Sequence, residues 1–121
     1  MTARDKHLRF DLDARVMTTE KEFHSEIAGK MSFPSSYGGG MNALFDVLTD
    51  LAWFDFDSLE VNIQNSIFLL VDEPPELRRT LQEVLNDVSQ YWSQPLELGE
   101  AWDHPAIEFK VTYAAYQLDL L

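Results

Sequence analysis

Carboxylates are the reactive groups that crowd together in this sequence. Asp46, Asp50, Asp55 and Asp57 stand close enough along the chain to be weighed as metal ligands or as an acid–base pair. They lack the D-x-[DN]-x-[DN]-G spacing of a calcium loop, so no metal site is expected of them. The histidines, His7, His24 and His104, are scattered. His24 has no second histidine at ligand spacing and reads as a solvated or locally bonded side chain. Asp103 beside His104 is the best local acid–base pair, in a loop with no third group to orient it. Nucleophile motifs are missing too: cysteine and G-x-S-x-G are both absent. The run Gly38–Gly39–Gly40 lacks the G-x-x-x-x-G-K-[ST] pattern and follows a proline turn instead of a strand, which excludes a phosphate cradle on pattern. The chemistry to be expected is recognition by charge, with no cofactor and no catalytic residues.

The stretch that must position that charge is Phe33 to Trp53, FPSSYGGGMNALFDVLTDLAW. Pro34 disfavours helical geometry at Phe33 and has no backbone donor, so a preceding helix should end before it. The three glycines can take positive φ and leave the backbone bare, which suits a tight entry turn and the close approach of another molecule. At 100° per residue, Met41, Leu44, Phe45, Leu48 and Leu51 then share one side of a helix. Asn42, Asp46, Thr49 and, if the helix runs that far, Trp53 fall opposite. One face suits a core, the other a partner.

Charge distribution says what kind of partner. The net charge is −12, with Arg4, Lys6, Arg9, Arg15, Lys21 and Lys30 all near the start and no Lys or Arg from Met31 to Leu77. That middle segment carries Asp46, Asp50, Asp55, Asp57, Glu60, Asp72, Glu73 and Glu76. Such a surface repels phosphate backbones and anionic membranes and attracts a basic protein, with steering that weakens in salt. The 121 residues suit one compact domain, 1–121. Lack of cysteine fits a reducing cytoplasm, and no apolar run is long enough to span a bilayer.

Elsewhere the pattern is that of alternating strands and helices. Leu8, Phe10 and Leu12 alternate with charged residues as in a half-buried strand. Thr19 with Glu22 has capping-box spacing, and Phe23, Ile27 and Met31 follow at helical intervals up to Gly29–Lys30. Glu60, Asn62 and Gln64 alternate with Val61 and Ile63, as a strand or as an irregular approach to one. The apolar run SIFLLV, Ser66 to Val71, is expected to be a strand covered on both faces. Pro74 and Pro75 preset a helix whose Leu77, Leu81, Val84, Leu85, Val88, Tyr91 and Trp92 face the core. Residues 93–105 read as a long connection in which Trp102 packs or stays exposed, and Ile107 to Tyr113 alternate as a last strand. The apolar tail, Tyr116 to Leu121, is expected to dock back. Strand–helix alternation with crossovers of this length argues for parallel pairing. The fold expected is α/β: a small three-stranded parallel sheet packed with about three to four helices.

One motif carries a resemblance. Pro34, Tyr37, Gly38, Ala43, Leu44, Asp46, Leu48 and Thr49 form P-x-x-Y-G-x-x-x-x-A-L-x-D-x-L-T, which resembles the signature of the barstar family, small acidic inhibitors of barnase-type ribonucleases. The resemblance implies a barstar-like fold and an inhibitor or immunity protein whose turn and helix plug the nuclease cleft. Asp46 stands where the family's helical Asp replaces a substrate phosphate. Tyr37, Gly38, Gly39, Asn42, Phe45, Asp46, Asp50, Trp53 and, on the later helix, Asp87 are the implied partner-binding residues. Departures are specific: the family's preceding tyrosine is Ser36 here, its helical Trp is Phe45, its upstream helical Asp is Asn42, and its helix-ending aromatic is Leu51, with Trp53 displaced by two. The expected partner is therefore a different basic ribonuclease or another basic toxin, the alternative being a non-nuclease interaction module on the same fold.

Overall fold

The computed structural model describes residues 6–101 and 103–116. Its strands are β1 (His7–Asp13), β2 (Ser58–Gln64) and β3 (Glu108–Tyr113), and its helices are α1 (Glu20–Lys30), α2 (Met41–Leu48) and α3 (Pro75–Ser93). Short 3-10 turns, Ala14–Val16 and Ser66–Phe68, follow the first two strands. The strands form one sheet in the order β1–β2–β3, both pairings parallel. This is the α/β architecture expected, with three α-helices among the described residues.

Register explains where the core lies. Leu8, Leu59 and Phe109 stand in one row across the sheet, Phe10, Val61 and Val111 in the next, and Leu12, Ile63 and Tyr113 in a third. Side chains alternate across a strand, so these rows share the face on which the helices pack. Phe23, Ile27, Leu44, Leu48, Leu81, Leu85 and Val88 close over it and are buried. The opposite face is polar: Arg9, Glu60 and Lys110 align, then Asp11, Asn62 and Thr112. Asn62 Nδ2 donates to Asp11 Oδ1 at 3.2 Å, and Thr112 Oγ1 donates to Glu60 Oε2 at 3.1 Å, so the side chains of this face are tied across strands.

That one-sided burial corrects the expectation for Ser66–Val71. The central strand is the alternating Ser58–Gln64, and the apolar run after it is a short 3-10 segment followed by turns. An apolar run without alternation was expected of a strand covered on both faces; this sheet needs alternation instead. Asn65, at φ 54°, ends β2, and Leu70, at φ 54°, reverses the chain again. Leu69 and Leu70 still reach the core, whereas Phe68 and Val71 are exposed. Backbone donors are satisfied by the segment before α1: Leu70 N–H donates to Met17 O at 2.9 Å and Asp72 N–H to Thr18 O at 3.0 Å.

The helix signals were read more directly. Thr19 Oγ1 caps α1 by accepting from Glu22 N–H at 3.1 Å, while the Glu22 carboxylate returns to Thr18 N–H at 2.9 Å, one residue earlier than in the usual box. Pro75 occupies the first turn of α3, where its missing donor costs nothing. Trp102 and residues 117–121, for which packing expectations were stated, lie outside the described residues; Tyr116 is exposed.

Candidate functional site

The proline–glycine turn is set from below by α1. Met31 N–H donates to Ile27 O and Phe33 N–H to Ala28 O, both at 2.9 Å, closing α1 before Pro34. A second turn follows, with Tyr37 N–H donating to Pro34 O at 2.9 Å. Gly39 has φ 86° and Gly40 φ 92° with ψ 153°. A backbone of that kind is left to glycine, since any Cβ would be strained. Gly38 is not at positive φ and has open space about it. Two of the three glycines are thus required by geometry.

His24 holds this turn in place. It is buried on α1, its Nδ1 bonds the Tyr37 hydroxyl, and its Nε2 accepts from Gly40 N–H at 3.1 Å. An imidazole nitrogen that accepts cannot also donate, so the contact of Nε2 with Glu20 Oε2 at 3.3 Å is not a hydrogen bond in the neutral ring. Nδ1 then carries the proton and donates to Tyr37, whose own O–H is left to donate elsewhere. Burial pushes the Tyr37 hydroxyl well above its ordinary pKa, keeping it a neutral donor. The histidine is locally bonded, one of the two possibilities open at first, but its link to the turn was not foreseen. The available signal was its place beside Phe23 and Ile27, four residues before Ala28, on the side of α1 that the returning chain must cross.

From Gly40 the chain enters α2, where Leu44 and Leu48 are buried and Asn42 and Asp46 are exposed. The helix stops at Leu48, and Leu51, at φ 48°, turns the chain back. Trp53 therefore does not reach the exposed face of α2. Its Nε1 donates to Met31 O at 3.0 Å and its ring meets Phe33 edge-on at 6.3 Å, so it is half-buried and anchors the turn from behind. Phe45 is half-buried, part core and part surface.

The remaining implied residues gather around Asp46. On one side a groove of about 260 Å³ is lined by Tyr37, Gly38, Asp46 and Asp50; on the other, one of about 480 Å³ by Asn42, Phe45, Asp46 and Asp87. Asp87 comes from α3, which packs against α2 and is tied to it by Trp92 Nε1 donating to Leu48 O at 2.8 Å. Gly39 joins Tyr37 and Gly38 in a third hollow, of about 600 Å³, over α1, with His24, Glu20 and Glu73. Apart from Trp53, the implied residues thus meet on one continuous surface.

Electrostatics distinguish this surface from the rest. Asp11 and Asp13 have their carboxyls pulled below the usual range, chiefly by hydrogen bonds from Arg9 and Arg15 respectively. Asp46, Asp50 and Asp87 are exposed and their carboxylates pair with nothing among the described residues. Among the described residues, no Lys or Arg lines either groove beside Asp46. Asp46 lies in the last turn of α2 and Asp50 just beyond it, where the negative end of the helix dipole works against a carboxylate. Local stability does not account for acids placed there. No group of three or more potential metal-binding side chains occurs among the described residues.

No curated protein matches this chain. The family model for barstar, described as a barnase inhibitor, matches residues 7–114, from β1 to the end of β3 and the residue after it. The chain belongs to the barstar family.

Proposed function

We propose that this protein is an inhibitor, or immunity protein, that binds a basic ribonuclease and fills its active-site cleft with the turn and helix from Tyr37 to Asp50, acting as a single domain in the cytoplasm. The observation that supports the reading is the set of carboxylates, Asp46, Asp50 and Asp87, that are unpaired among the described residues, around two grooves that no described cation lines. A ribonuclease cleft is lined with Arg, Lys and His for phosphate, and a fixed carboxylate at Asp46 satisfies the same donors. Tyr37 adds a neutral hydroxyl donor, and Gly38 and Gly39 allow close backbone approach.

A desolvated charge pair of this kind costs about 2–5 kcal/mol when one partner is truncated. Titration of RNA cleavage by basic ribonucleases, barnase among them, should show stoichiometric loss of activity with the wild-type chain. Asp46→Ala should weaken that inhibition by about thirtyfold or more, corresponding to at least 2 kcal/mol. Undiminished inhibition by the variant would remove Asp46 from its assigned role. Ser36, Asn42 and Phe45, which replace a tyrosine, an acid and a tryptophan of the family pattern, favour a partner other than barnase. They also sustain a second reading, a barstar-fold module for a basic protein that is not a nuclease. Capture of the same non-nuclease proteins by wild-type and Asp46→Ala chains would select the latter.

A further inference from the structure

Two contacts converge on one nitrogen of His24, and no single charge state satisfies both. Nε2 lies 3.1 Å from the Gly40 nitrogen and 3.3 Å from Glu20 Oε2. In the neutral ring this bare nitrogen accepts from Gly40 N–H. Once protonated it is a donor, which opposes Gly40 N–H donor to donor and suits only the carboxylate. Nδ1 carries its proton in both states, so its bond to the Tyr37 hydroxyl survives the change. The effect of one proton therefore falls on Gly40.

Gly40 is where the turn enters α2, and it has no side chain of its own to cap that helix. The ring is packed against the turn as well as bonded to it: a Cβ on Gly39 would stand 3.6 Å from the imidazole. Beneath lies Phe23, edge-on at 5.2 Å and uncharged. The charged groups of the surrounding hollow are Glu20 and Lys21 on α1 and Glu73 ahead of α3. Glu73 Oε2 accepts from Glu20 N–H at 2.8 Å and is committed to the start of α1. Lys21 opposes a second positive charge, and Glu20 is the carboxylate within reach of Nε2 to receive one.

We infer that His24 is a pH-sensitive latch on the Tyr37–Gly40 turn: neutral, it holds Gly40 N–H; protonated, it pairs with Glu20 and releases the entry to α2. That a partner meets this turn rests on the inhibitor reading; the exchange of partners at Nε2 does not. Histidine is the side chain that ordinarily changes charge between about pH 5 and 8. The turn competent to bind is the one held by the neutral ring, so affinity falls about tenfold for each unit of pH below the midpoint of the latch.

The test follows the isolated, isotope-labelled chain by NMR from pH 8 to 5.5. The Gly40 amide should move with the same midpoint as the His24 ring. Its protection from hydrogen exchange should fall at least tenfold between the two states, while the amides of Leu81 and Leu85 in α3 keep theirs. Glu20→Gln, which withdraws the charge that receives Nε2–H but leaves the backbone bond to Glu73, should carry both midpoints to lower pH together. A Gly40 amide that ignores the His24 titration, one that follows His7 or His104 instead, or a midpoint unmoved by Glu20→Gln overturns the latch. Failure of the inhibitor reading would show only in the nuclease titration.

Discussion

At Gly40 the backbone decides the residue. With φ 92° and ψ 153° it occupies a region that costs a side chain-bearing residue about 1–3 kcal/mol. Gly40→Ala should lower stability in urea unfolding by that amount, and Gly38→Ala, free of positive φ and of neighbours, should change it by less than about 0.5 kcal/mol. Asp13 tests a different term. Hydrogen bonds, first from the Arg15 side chain and also from its backbone and from Asn65, lower its carboxyl from the ordinary 3.8 to about 2. The stability it adds is complete above pH 3.8 and is lost as pH falls through about 2. Both partners are partly solvated, so Asp13→Asn should cost only about 1 kcal/mol near neutrality. In thermal unfolding the two proteins should converge over that acid range.

Elements were legible from sequence where a local signal and the fold agreed. Thr19 with Glu22, Pro34, and Pro75 each mark a helix boundary through backbone chemistry that no tertiary contact overrides, and α1 and α3 follow from them. The central strand was harder, because Glu60, Asn62 and Gln64 stand opposite partners across a polar sheet face that only register reveals. The site divides the same way. Asp46 and Asn42 were placed by helical phase, whereas the phase that would carry Trp53 opposite the core, had the helix run that far, ends early because α2 stops at Leu48 and Leu51 takes φ 48°. The union of α2 with α3 is invisible in sequence, since it depends on an indole reaching a carbonyl 44 positions away. Trp92→Phe keeps most of the packing but orphans Leu48 O. A loss of about 1–3 kcal/mol is expected, with faster amide exchange at the end of α2 than at α1.

Over the whole molecule, charge is sorted by place. Arginines of the β1 region neutralise their own neighbours, Arg9 on Asp11 and Arg15 on Asp13, while the face around Asp46 keeps its acids uncompensated. Encounter with a basic partner should be steered by that field. The association rate, followed by stopped-flow fluorescence, should fall at least tenfold between about 10 mM and 500 mM salt as screening shortens to a few ångströms. Dissociation should change much less.

The acids at the closing turn of α2 carry one more consequence, for anyone who would evolve this scaffold. Asparagine at position 46 would sit more comfortably at the negative end of the helix, so a library sorted only for resistance to heat or protease would enrich neutral residues there. On the inhibitor reading the winners would be sturdier proteins that had lost their grip, and a screen on this fold would have to select for capture and endurance in the same round.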